Sequence, residues 1–376
     1  MDILKKIVTS PLKSADIIIN GSRPFDIQVH NERLYGRVLF QGSLGFGESY
    51  MDCDWDCDDL AEFISRVIQA GVDRGRLGLS GTFLKLAQLF HNAQNIRLAR
   101  RVAERHYDLD NNLYKEMLDP RLVYTCGYFG RGAETLAQAQ EGKMRLVCEK
   151  IGLKKGDRIL DVGCGWGSFA KFAAEEFGAE VVGITIAQEQ LALGQELCKG
   201  LPVELRYMDY RDVPKNFPKG HFDHIVSIGM FEAVGPKNFR TYMESLRPVL
   251  KKDGFFLLHT IGGPLGGFDS WIEKYIFPGG IIPTLEQISL SVRELFIIED
   301  IHNIGANYDR TLCLWMKNFD ASWEKLKATG KYDERFYRMW RYYLLSCAGS
   351  FRARANQLWQ IVLSPNGVPG GYTSVR

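Results

Sequence analysis

The residues best suited to chemistry lie in the stretch RILDVGCGWGS, at positions 158–168. An apolar run leads into Asp161, glycines follow at positions 163, 165 and 167, and the next residues predict a helix. Glycine lets a backbone pass close to a ligand, and doubly wound sheets bind nucleotides at the carboxyl end of the first strand. The alternative is a glycine turn without a ligand, which this strand, turn and helix context disfavours. The stretch therefore predicts a site for a nucleotide-like cofactor.

The spacing of the glycines separates two kinds of cofactor. A dinucleotide fingerprint reads Gly-x-Gly-x-x-Gly, whereas this sequence reads Gly-x-Gly-x-Gly with an acidic residue two positions before the first glycine. The second pattern is typical of S-adenosylmethionine-dependent methyltransferases, whose cofactor has no pyrophosphate and whose methionine end is oriented by the carboxylate. We therefore expect S-adenosylmethionine to bind at this turn. The predicted contacts are Asp161, Gly163, Cys164, Gly165 and Gly167.

Polar residues also follow the next two predicted strands. Methyltransferases often end the second strand with an acidic residue that holds the ribose hydroxyls, but here EVVGITI ends near Thr185. The hydroxyl of Thr185, together with Gln190, can supply hydrogen bonds instead. Asp209 and Tyr210 close the third strand, where a side chain and a ring would meet the adenine. Each is only a polar residue at a strand end when taken alone, but together they fall on one edge of one sheet.

Several other candidate residues have ordinary structural interpretations when the sequence is read alone. Glu232 follows SIGMF, where an acidic residue also suits the start of a helix. His259 interrupts the apolar run FFLLHTI, and a lone buried histidine is more often hydrogen-bonded within a core, although this one ends a strand. Tyr308 could be a packing residue. Cys126 and Cys347 are more typical of inert apolar residues than of nucleophiles.

The elements that would position these residues alternate between strand and helix. Short apolar strands are predicted at RILDVG, EVVGITI, VELRYMDY, FDHIVSIGMF and FFLLHTIG, with helices and short connections between them. This alternation is typical of an α/β protein with a doubly wound, mostly parallel, Rossmann-like sheet. At the carboxyl end an aromatic-rich helix is predicted over residues 336–363.

The chain of 376 residues is long enough for two domains. Residues 1–75 are expected to form a smaller N-terminal domain, in which PFDIQVH alternates like a strand, VLFQGSLGFGESY is broken by glycines and DDLAEFISRVIQA is typical of an amphipathic helix. The charged, glycine-rich segment 73–81 marks the boundary. A helical linker is expected at 76–99, and the cofactor-binding domain at 100–376.

Composition and charge exclude several classes of protein. With 47 Lys and Arg against 45 Asp and Glu, the chain offers no basic stripe for a nucleic acid. No stretch approaches the ~20 apolar residues of a membrane span, and no apolar run follows the first lysines as in a signal peptide. The eight cysteines are scattered, and Cys53 and Cys57 have no second pair that would complete a metal site. We therefore expect a cytoplasmic protein with reduced thiols and no bound metal.

Beyond the glycine turn, the chain resembles the cyclopropane-fatty-acyl-phospholipid synthases, with the mycolic-acid cyclopropane synthases as more distant relatives. The matching stretches follow the family order over nearly the whole chain: GSLGFGESYMD (42–52), HYDLDNNLYKEMLDP (106–120), VYTCGYF (123–129), LDVGCGWG (160–167), VGITIA (182–187), SIGMFEAVGPKNF (227–239), FFLLHTIG (255–262), WIEKYIFPGG (271–280), GANYDRTL (305–312) and LLSCAGSFRARANQLWQ (344–360). LDVGCGWG alone indicates only a methyltransferase, whereas HYDLDNNLY, VYTCGYF and FRARANQLWQ are much more specific.

The resemblance implies a reaction and its site. The alkene of a phospholipid acyl chain attacks the sulfonium methyl, a base removes a proton from the new methyl, and a ring closes. In this family the base is a bound bicarbonate ion. Matched residue by residue, its pocket consists of Cys126, Glu232, His259, the backbone at Ile261, and Tyr308, with Cys347 a buried residue near the site. The match adds Tyr124 and Thr125 to the cofactor contacts given above.

The sequence departs from the family at one position of this site. Family members usually read Phe-Glu-His-Val-Gly where this chain reads FEAVG, so Ala233 replaces a histidine. The contact made by that histidine must be absent or replaced here, which puts the rate or the specificity in question. The resemblance further implies unsaturated membrane phospholipids as partners, peripheral contact with the inner face of the membrane, and a homodimer.

Two other kinds of function stay open on the sequence. Related enzymes methylate amines, or leave a methyl branch or a hydroxyl on a lipid chain. A methyl branch requires a hydride from a reductant, and no reductant-binding domain is visible, so the ring is favoured. A lipid-binding scaffold with an inactive cofactor site is the second alternative, against which the intact glycine turn, Glu232 and His259 argue.

Overall fold

The computed structural model of the chain describes residues 2–71 and 111–376. The boundary expected at 73–81 and the linker expected at 76–99 lie outside the described residues. No helix within the described ranges is long and apolar enough to cross a membrane. The eight cysteines all fall within these ranges and are free thiols.

The helices and strands are numbered in chain order. The described helices are α1 (Asp2–Thr9), α2 (Arg33–Met51), α3 (Leu60–Gln69), α4 (Asn111–Met117), α5 (Leu136–Lys150), α6 (Ser168–Phe177), α7 (Gln188–Leu197), α8 (Val213–Asn216), α9 (Phe239–Leu246), α10 (Ser270–Tyr275), α11 (Leu285–Val292), α12 (Ala306–Lys327) and α13 (Glu334–Arg352). The strands are β1 (Gln28–Val29), β2 (Trp55–Asp56), β3 (Arg158–Val162), β4 (Glu180–Thr185), β5 (Val203–Tyr207), β6 (Phe222–Ile228), β7 (Leu250–Gly262), β8 (Ile297–Asn303) and β9 (Gln357–Ser364).

The described residues form two compact units. Among the described residues, the helical unit comprises 2–71, Phe268–Pro278 and Tyr308–Asn356, and the sheet unit comprises 111–267, Gly279–Asn307 and Gln357–Arg376. This division differs from the expected N-terminal domain (1–75) followed by one continuous domain (100–376). The difference arises from packing, because α10 contacts α2 and α13 contacts both α2 and α3. Two segments from the second half of the chain therefore complete the N-terminal core.

Aromatic side chains form the core of the helical unit. Trp55 and Trp271 are fully buried, and the ring of Tyr342 lies 4.6 Å from that of Trp271. Gly47 leaves room for the Trp271 ring, because a Cβ at position 47 would lie 2.5 Å from the Trp271 side chain. The glycine-broken segment forms α2, in which two helical stretches meet at a kink at Gly42, where φ is 58° and ψ is −133°. The strand predicted at PFDIQVH is reduced to the two residues of β1, which pair with β2.

The sheet unit contains a seven-stranded sheet in the order β5-β4-β3-β6-β7-β9-β8. β3 is parallel to β4 and β6, β4 is parallel to β5, and β6 is parallel to β7. β9 pairs antiparallel with both β7 and β8. Buried apolar clusters cover the two faces, one packed under α5 and α6 and the other under α9 and α11. The predicted α/β class with a mostly parallel, doubly wound sheet is confirmed.

The helix predicted over residues 336–363 is wrong in its last third. Helix α13 ends at Arg352, and after a short turn the residues Gln357–Ser364 form β9. The apolar residues of QLWQIVL are buried on both faces of the sheet, as in an interior strand. Because β9 lies between β7 and β8, it carries residues into the neighbourhood of the parallel strand ends.

Candidate active site

The glycine turn after β3 leaves an open space at its centre. Gly163, Gly165 and Gly167 all have positive φ, at 82°, 56° and 76°. A Cβ on Gly163 would lie 2.6 Å from the side chain of Met230, so a larger residue has no room there. A Cβ on Gly165 would meet nothing nearer than Oε1 of Gln190, at 3.9 Å. The space above Gly165 therefore suits a ligand that approaches the backbone closely.

Cys164 contributes to this turn through its backbone. Its side chain is buried in the core under α6, and burial raises the pKa of its thiol well above the ordinary value. The thiol is therefore neutral and packed. Any contact of Cys164 with a cofactor is left to its main-chain atoms.

Asp161, at the end of β3, is a buried carboxylate whose Oδ2 has no hydrogen-bond partner among the described residues. Burial raises its pKa to about 7, although the nearby ammonium of Lys143 lowers it. Lys143 is 1% exposed, its Nζ donates to Oγ1 of Thr125 at 2.9 Å, and burial lowers its own pKa to about 8. The two form a buried acid and base beside the glycine turn, and the free carboxylate oxygen suits the amino group of a methionine-like cofactor.

Lys143 was not predicted from the sequence. It lies on α5 among Met144, Val147 and Cys148, which belong to the apolar cluster under that helix. The feature of the sequence that could have indicated it is a lysine among the apolar residues of an amphipathic helix. None of the stretches quoted for the family resemblance covers α5.

The loop that carries Tyr124 and Thr125 is held by buried side chains. Gln140 of α5 donates from Nε2 to the carbonyl oxygen of Thr125 at 2.7 Å. The carboxylate of Asp119 accepts the N–H of Val123 at 2.9 Å. The ring of Tyr124 stands edge-on to that of Tyr114, with centroids 5.1 Å apart. These contacts fix the loop at the same end of the sheet as the glycine turn.

The residues after β4 and β5 that were predicted to contact the cofactor make different contacts within the protein. Thr185 Oγ1 accepts the N–H of Ala187 at 3.1 Å, and Gln190 is buried beside the open space above Gly165. Asp209 accepts the side chain of Arg211 at 2.9 Å. Tyr210 lies in the core, 4.9 Å from the ring of Tyr242. The contact of Asp209 and Tyr210 with an adenine stays a prediction. Arg211 already engages Asp209, whereas the buried hydroxyl of Tyr210 has no hydrogen-bond partner among the described residues.

Glu232 lies in a short 3-10 segment, Phe231–Ala233, that follows β6. Its Oε1 accepts the backbone N–H of Ile261 at 2.6 Å, which fastens the carboxyl to the end of β7. Its Oε2 is buried and has no hydrogen-bond partner among the described residues. Burial raises the pKa of Glu232 to about 7, although the nearby hydroxyl of Thr260, which donates to the carbonyl of Ile261, lowers the pKa of the carboxyl. Met230, two residues earlier, fills the position at Gly163, so the same segment touches the glycine turn.

His259 lies on β7, directly opposite Ile228 of β6 and Gln360 of β9. It is 1% exposed, and its Nδ1 lies 3.4 Å from Nε2 of Gln360. Its Nε2 has no partner among the described residues. Burial, with the charges of Lys143 and Lys150, holds the pKa of His259 well below its usual value. The imidazole is therefore neutral and has one nitrogen left for a ligand.

The remaining predicted pocket residues are divided between the units. Cys126 is fully buried in the sheet unit, and its thiol donates to the carbonyl of Gly127 at 3.2 Å. Tyr308 belongs to the helical unit, where its ring lies 4.5 Å from that of Phe351. Cys347 belongs to the same unit and is half-buried rather than buried, with its thiol pKa raised to about 12. Desolvation is the main cause of the raised pKa of Cys347, so this thiol does not provide a thiolate nucleophile at neutral pH.

Two positions in this region bear on the family match. The N–H of Ile261, expected to face the anion, donates instead to Glu232, so its contribution is to orient that carboxyl. Ala233 is exposed in the chain, directly beside Glu232. Asn307, which the sequence reading did not single out, accepts the N–H of Phe129 at 2.9 Å and so ties GANYDRTL to VYTCGYF.

A family model described as mycolic acid cyclopropane synthetase matches residues 94–361. The chain is 46% identical over 380 residues to the cyclopropane-fatty-acyl-phospholipid synthase of Escherichia coli (strain K12), covering 99% of this chain and 96% of that protein. It is 36% identical over 280 residues to sphingolipid C9-methyltransferase A of Emericella nidulans, covering 69% of this chain and 53% of that protein.

A solved structure gives the same indication. The mycolic acid cyclopropane synthase CmaA1, complexed with SAH and CTAB, is similar to this chain with a TM-score of 0.63 and 29% identity. The similarity covers 70% of this chain and 97% of that one. Fold, glycine turn and sequence therefore agree on one family.

Proposed function

The chain belongs to the cyclopropane synthase family, and we propose that it builds a cyclopropane ring on an unsaturated phospholipid acyl chain. In this reaction a methylene group derived from S-adenosylmethionine bridges the two carbons of a cis double bond. The observation that carries the proposal is a pair of buried polar atoms, Oε2 of Glu232 and Nε2 of His259, without partners among the described residues. Transfer of the methyl needs the bound donor and an electron pair on the acceptor, whereas closing the ring also needs a base held beside the new methyl group.

The proposed chemistry balances without a redox partner. S-adenosylmethionine, when bound, supplies an electrophilic methyl, and bicarbonate, when bound, supplies a base. The electron pair of the alkene forms the new carbon–carbon bond while the carbon–sulfur bond breaks, which leaves a positive charge on the acyl chain. Loss of one proton from the new methyl returns an electron pair that closes the ring. The products are the cyclopropane lipid, S-adenosylhomocysteine and one proton.

The cofactor would be held by the turn around Gly165. The open space there admits a ligand close to the backbone, and Gln190 borders it. The unpartnered oxygen of Asp161 fits the amino group of the methionine moiety. Thr125, held by Lys143, presents its loop at the same strand ends. These residues orient the donor and leave the methyl to face the acyl chain.

The anion would be held by Glu232 and His259, with Cys126 of the same unit as a further contact implied by the family resemblance. A carboxyl with a pKa of about 7 can keep a proton on its free oxygen at neutral pH and share it with the anion. The neutral imidazole adds a hydrogen-bonding group and no second full charge. Because Ile261 holds Oε1, the carboxyl is kept from turning toward the acyl chain and capturing the cation.

Product analysis tests the proposed function. The enzyme is incubated with labelled S-adenosylmethionine and vesicles of an unsaturated phospholipid, and the acyl chains are released and weighed. A gain of one CH2 that resists catalytic hydrogenation indicates a ring. A product that takes up hydrogen, or a chain already saturated and branched, would overturn the proposal.

A methyl-branched lipid is the alternative that a specific observation favours, because one relative is named a sphingolipid C9-methyltransferase. The same product analysis distinguishes the two. Small amines, incubated in place of vesicles, test methylation at nitrogen. A scaffold without activity would give no product from any of these substrates, whether or not it binds the cofactor.

We also propose that the enzyme, in the cytoplasm, docks on the inner face of the membrane, since the double bond lies within a lipid. In the helical unit Ile7, Ile18 and Phe40 are 45%, 55% and 80% exposed, and Lys6 and Lys13 are exposed in the same N-terminal region. Exposed apolar residues with lysines suit an anionic lipid surface.

Vesicle sedimentation tests this docking. The double variant Ile18→Ser with Phe40→Ser should bind vesicles less tightly and keep its cofactor affinity. Leu290→Ser is the control, because Leu290 is as exposed as Ile18, at 55%, but lies in the sheet unit. Equal losses for both variants would contradict docking through the N-terminal region. A homodimer, the assembly that the family implies, is tested by sedimentation velocity.

A further inference from the structure

Three polar side chains lie in one row across the antiparallel part of the sheet. Gln360 of β9 is directly opposite His259 of β7 on one side and His302 of β8 on the other. Residues directly opposite each other in a sheet project from the same face. That face is the one under α5, because Leu257 and Val362, two residues along from His259 and Gln360, belong to its cluster.

Gln360 is fully enclosed in this row. Its side chain is 0% exposed, and its Nε2 lies 3.4 Å from Nδ1 of His259. An amide NH2 only donates hydrogen bonds, so Nδ1 must be the acceptor. A neutral imidazole carries a single ring proton, which must then be on Nε2. This nitrogen is the one that has no partner among the described residues.

The charges around the row favour the neutral ring. Lys143 and Lys150, both on α5, together with burial hold the pKa of His259 well below its usual value. At the outer end of the row, Nζ of Lys150 lies 3.1 Å from Nδ1 of His302 and 4.0 Å from a carboxylate oxygen of Asp300. No carboxylate among these contacts faces Nδ1 of His259. Oε1 of Gln360, the other acceptor in the row, makes no hydrogen bond to the ring in this amide orientation and is buried without a partner among the described residues.

We propose that Gln360 is a positioning residue, which donates to Nδ1 of His259 and thereby fixes the tautomer that presents Nε2–H to the site. The inference rests on the proposed function, in which His259 donates to a small anion that removes the proton. A histidine with the other tautomer would present a lone pair, which repels an anion. Gln360 thus decides whether His259 helps to hold the base or opposes it.

Substitution at position 360 separates this effect from simple packing. Gln360→Glu has nearly the same shape, but a carboxylate only accepts hydrogen bonds and should draw the ring proton to Nδ1. Gln360→Met keeps the volume and removes the hydrogen bond, so both tautomers should be populated. His302→Gln alters the outer end of the row and leaves the contact between Gln360 and His259 intact, which makes it the matched control.

The tautomer is read from two-bond hydrogen–nitrogen correlation spectra of protein labelled with nitrogen-15 histidine. The chain has seven histidines, and His259→Asn identifies the signal of interest. We expect Nε2–H for His259 in the wild type and in His302→Gln. Gln360→Glu should show Nδ1–H or a doubly protonated ring, and its turnover should fall at least tenfold with unchanged cofactor affinity.

Each outcome bears on the inference. Nδ1–H in the wild type overturns it directly, and so does an unchanged spectrum in a folded Gln360→Glu or Gln360→Met. If Gln360→Glu fails to fold, Gln360→Met and the wild type still decide. Because the spectrum requires no turnover, a wild type with Nε2–H that forms no ring would refute the proposed function and leave the positioning intact.

Discussion

Glu232 accepts the backbone N–H of Ile261 at 2.6 Å, and this contact gives its two carboxylate oxygens different surroundings. Oε1 is tied to the end of β7, while Oε2 is buried with no partner among the described residues. Burial raises the pKa of the group to about 7. Near neutral pH such a carboxyl can hold a proton on Oε2 and share it with an adjacent anion.

The first prediction concerns turnover. Glu232→Gln keeps an oxygen for Ile261 but can no longer accept or release a proton, so turnover should fall by about 10²-fold or more. Cofactor affinity should be nearly unchanged, because the glycine turn is untouched. Vesicle assays and calorimetric titration measure the two quantities. Glu286→Gln, an exposed glutamate of α11, is the control. Wild-type turnover in Glu232→Gln would rule out this role.

The same substitution should change stability in a pH-dependent way. Glu232 has a pKa of about 7 in the folded protein against an ordinary 4.5, so the folded state binds this proton more tightly than the unfolded state. Its favourable contribution is complete below pH 4.5 and is lost as the pH rises through 7. Relative to wild type, Glu232→Gln should therefore gain on the order of 1–3 kcal/mol between pH 5 and pH 8. Urea unfolding of both proteins at pH 5 and pH 8 measures this change. If the difference in unfolding free energy between variant and wild type is the same at the two pH values, the carboxyl is not buried as described.

The glycine turn yields a third prediction. Gly165→Val would place a branched side chain in the open space beside Gln190, so affinity for S-adenosylmethionine should fall by at least about tenfold while the fold survives. Gly165 has a φ of 56°, and any side chain there also adds backbone strain. Gly200→Val is the matched control, because Gly200 has a φ of 84° and nothing within 4 Å of its Cβ position. If calorimetric titration shows equal losses of cofactor affinity in both variants, the cofactor does not bind at this turn.

How much the sequence can predict depends on the distance over which residues act. Asp161 and Gly165 lie within one strand and turn, and their spacing reports the local geometry directly. The strands β3 to β7 are likewise visible as apolar runs. By contrast, QLWQIVL is compatible with both helix and strand until its neighbours are known, because a short apolar run has no distinguishing period.

Residues that act across the sheet were beyond the sequence for the same reason. The contact between Gln360 and His259 joins residues 101 positions apart, and only the register of β7 and β9 brings them together. Lys143 reaches the loop residue Thr125 from helix α5, where its burial could not be read from charge alone. Tyr308 and Cys347 were predicted with the catalytic domain, but packing assigns them to the helical unit.

A fourth prediction follows from Lys143. Its ammonium lowers the pKa of Asp161 against the effect of burial. In Lys143→Met that pKa should rise above about 7, so Asp161 is protonated at neutral pH. Cofactor affinity should then fall about tenfold at pH 7 and recover partly at higher pH. Lys154 is exposed and lies just after the end of α5, so Lys154→Met should show the cofactor affinity of the wild type at each pH. An affinity loss independent of pH would mean that Lys143 acts only by holding Thr125.

The last prediction is that proton removal depends on bicarbonate and not on a side chain. A base must come within ~3 Å of the new methyl, and a carboxylate placed there would capture the cation covalently, whereas Glu232 is tied to Ile261. Wild-type turnover should therefore fall in buffer depleted of carbon dioxide and return when bicarbonate is added. Ala233 stands beside Glu232 where the family carries a histidine, so this chain should need more added bicarbonate than its relatives. Ala233→His should lower the bicarbonate concentration that gives half-maximal turnover, and Ala233→Ser, which cannot restore an imidazole, is its control. If degassed enzyme, shown to be free of bound carbonate, keeps full turnover, a side chain is the base. His259 is then the first residue to test: to act as the base, its ring would have to carry its proton on Nδ1 and present a lone pair at Nε2, which has no partner among the described residues.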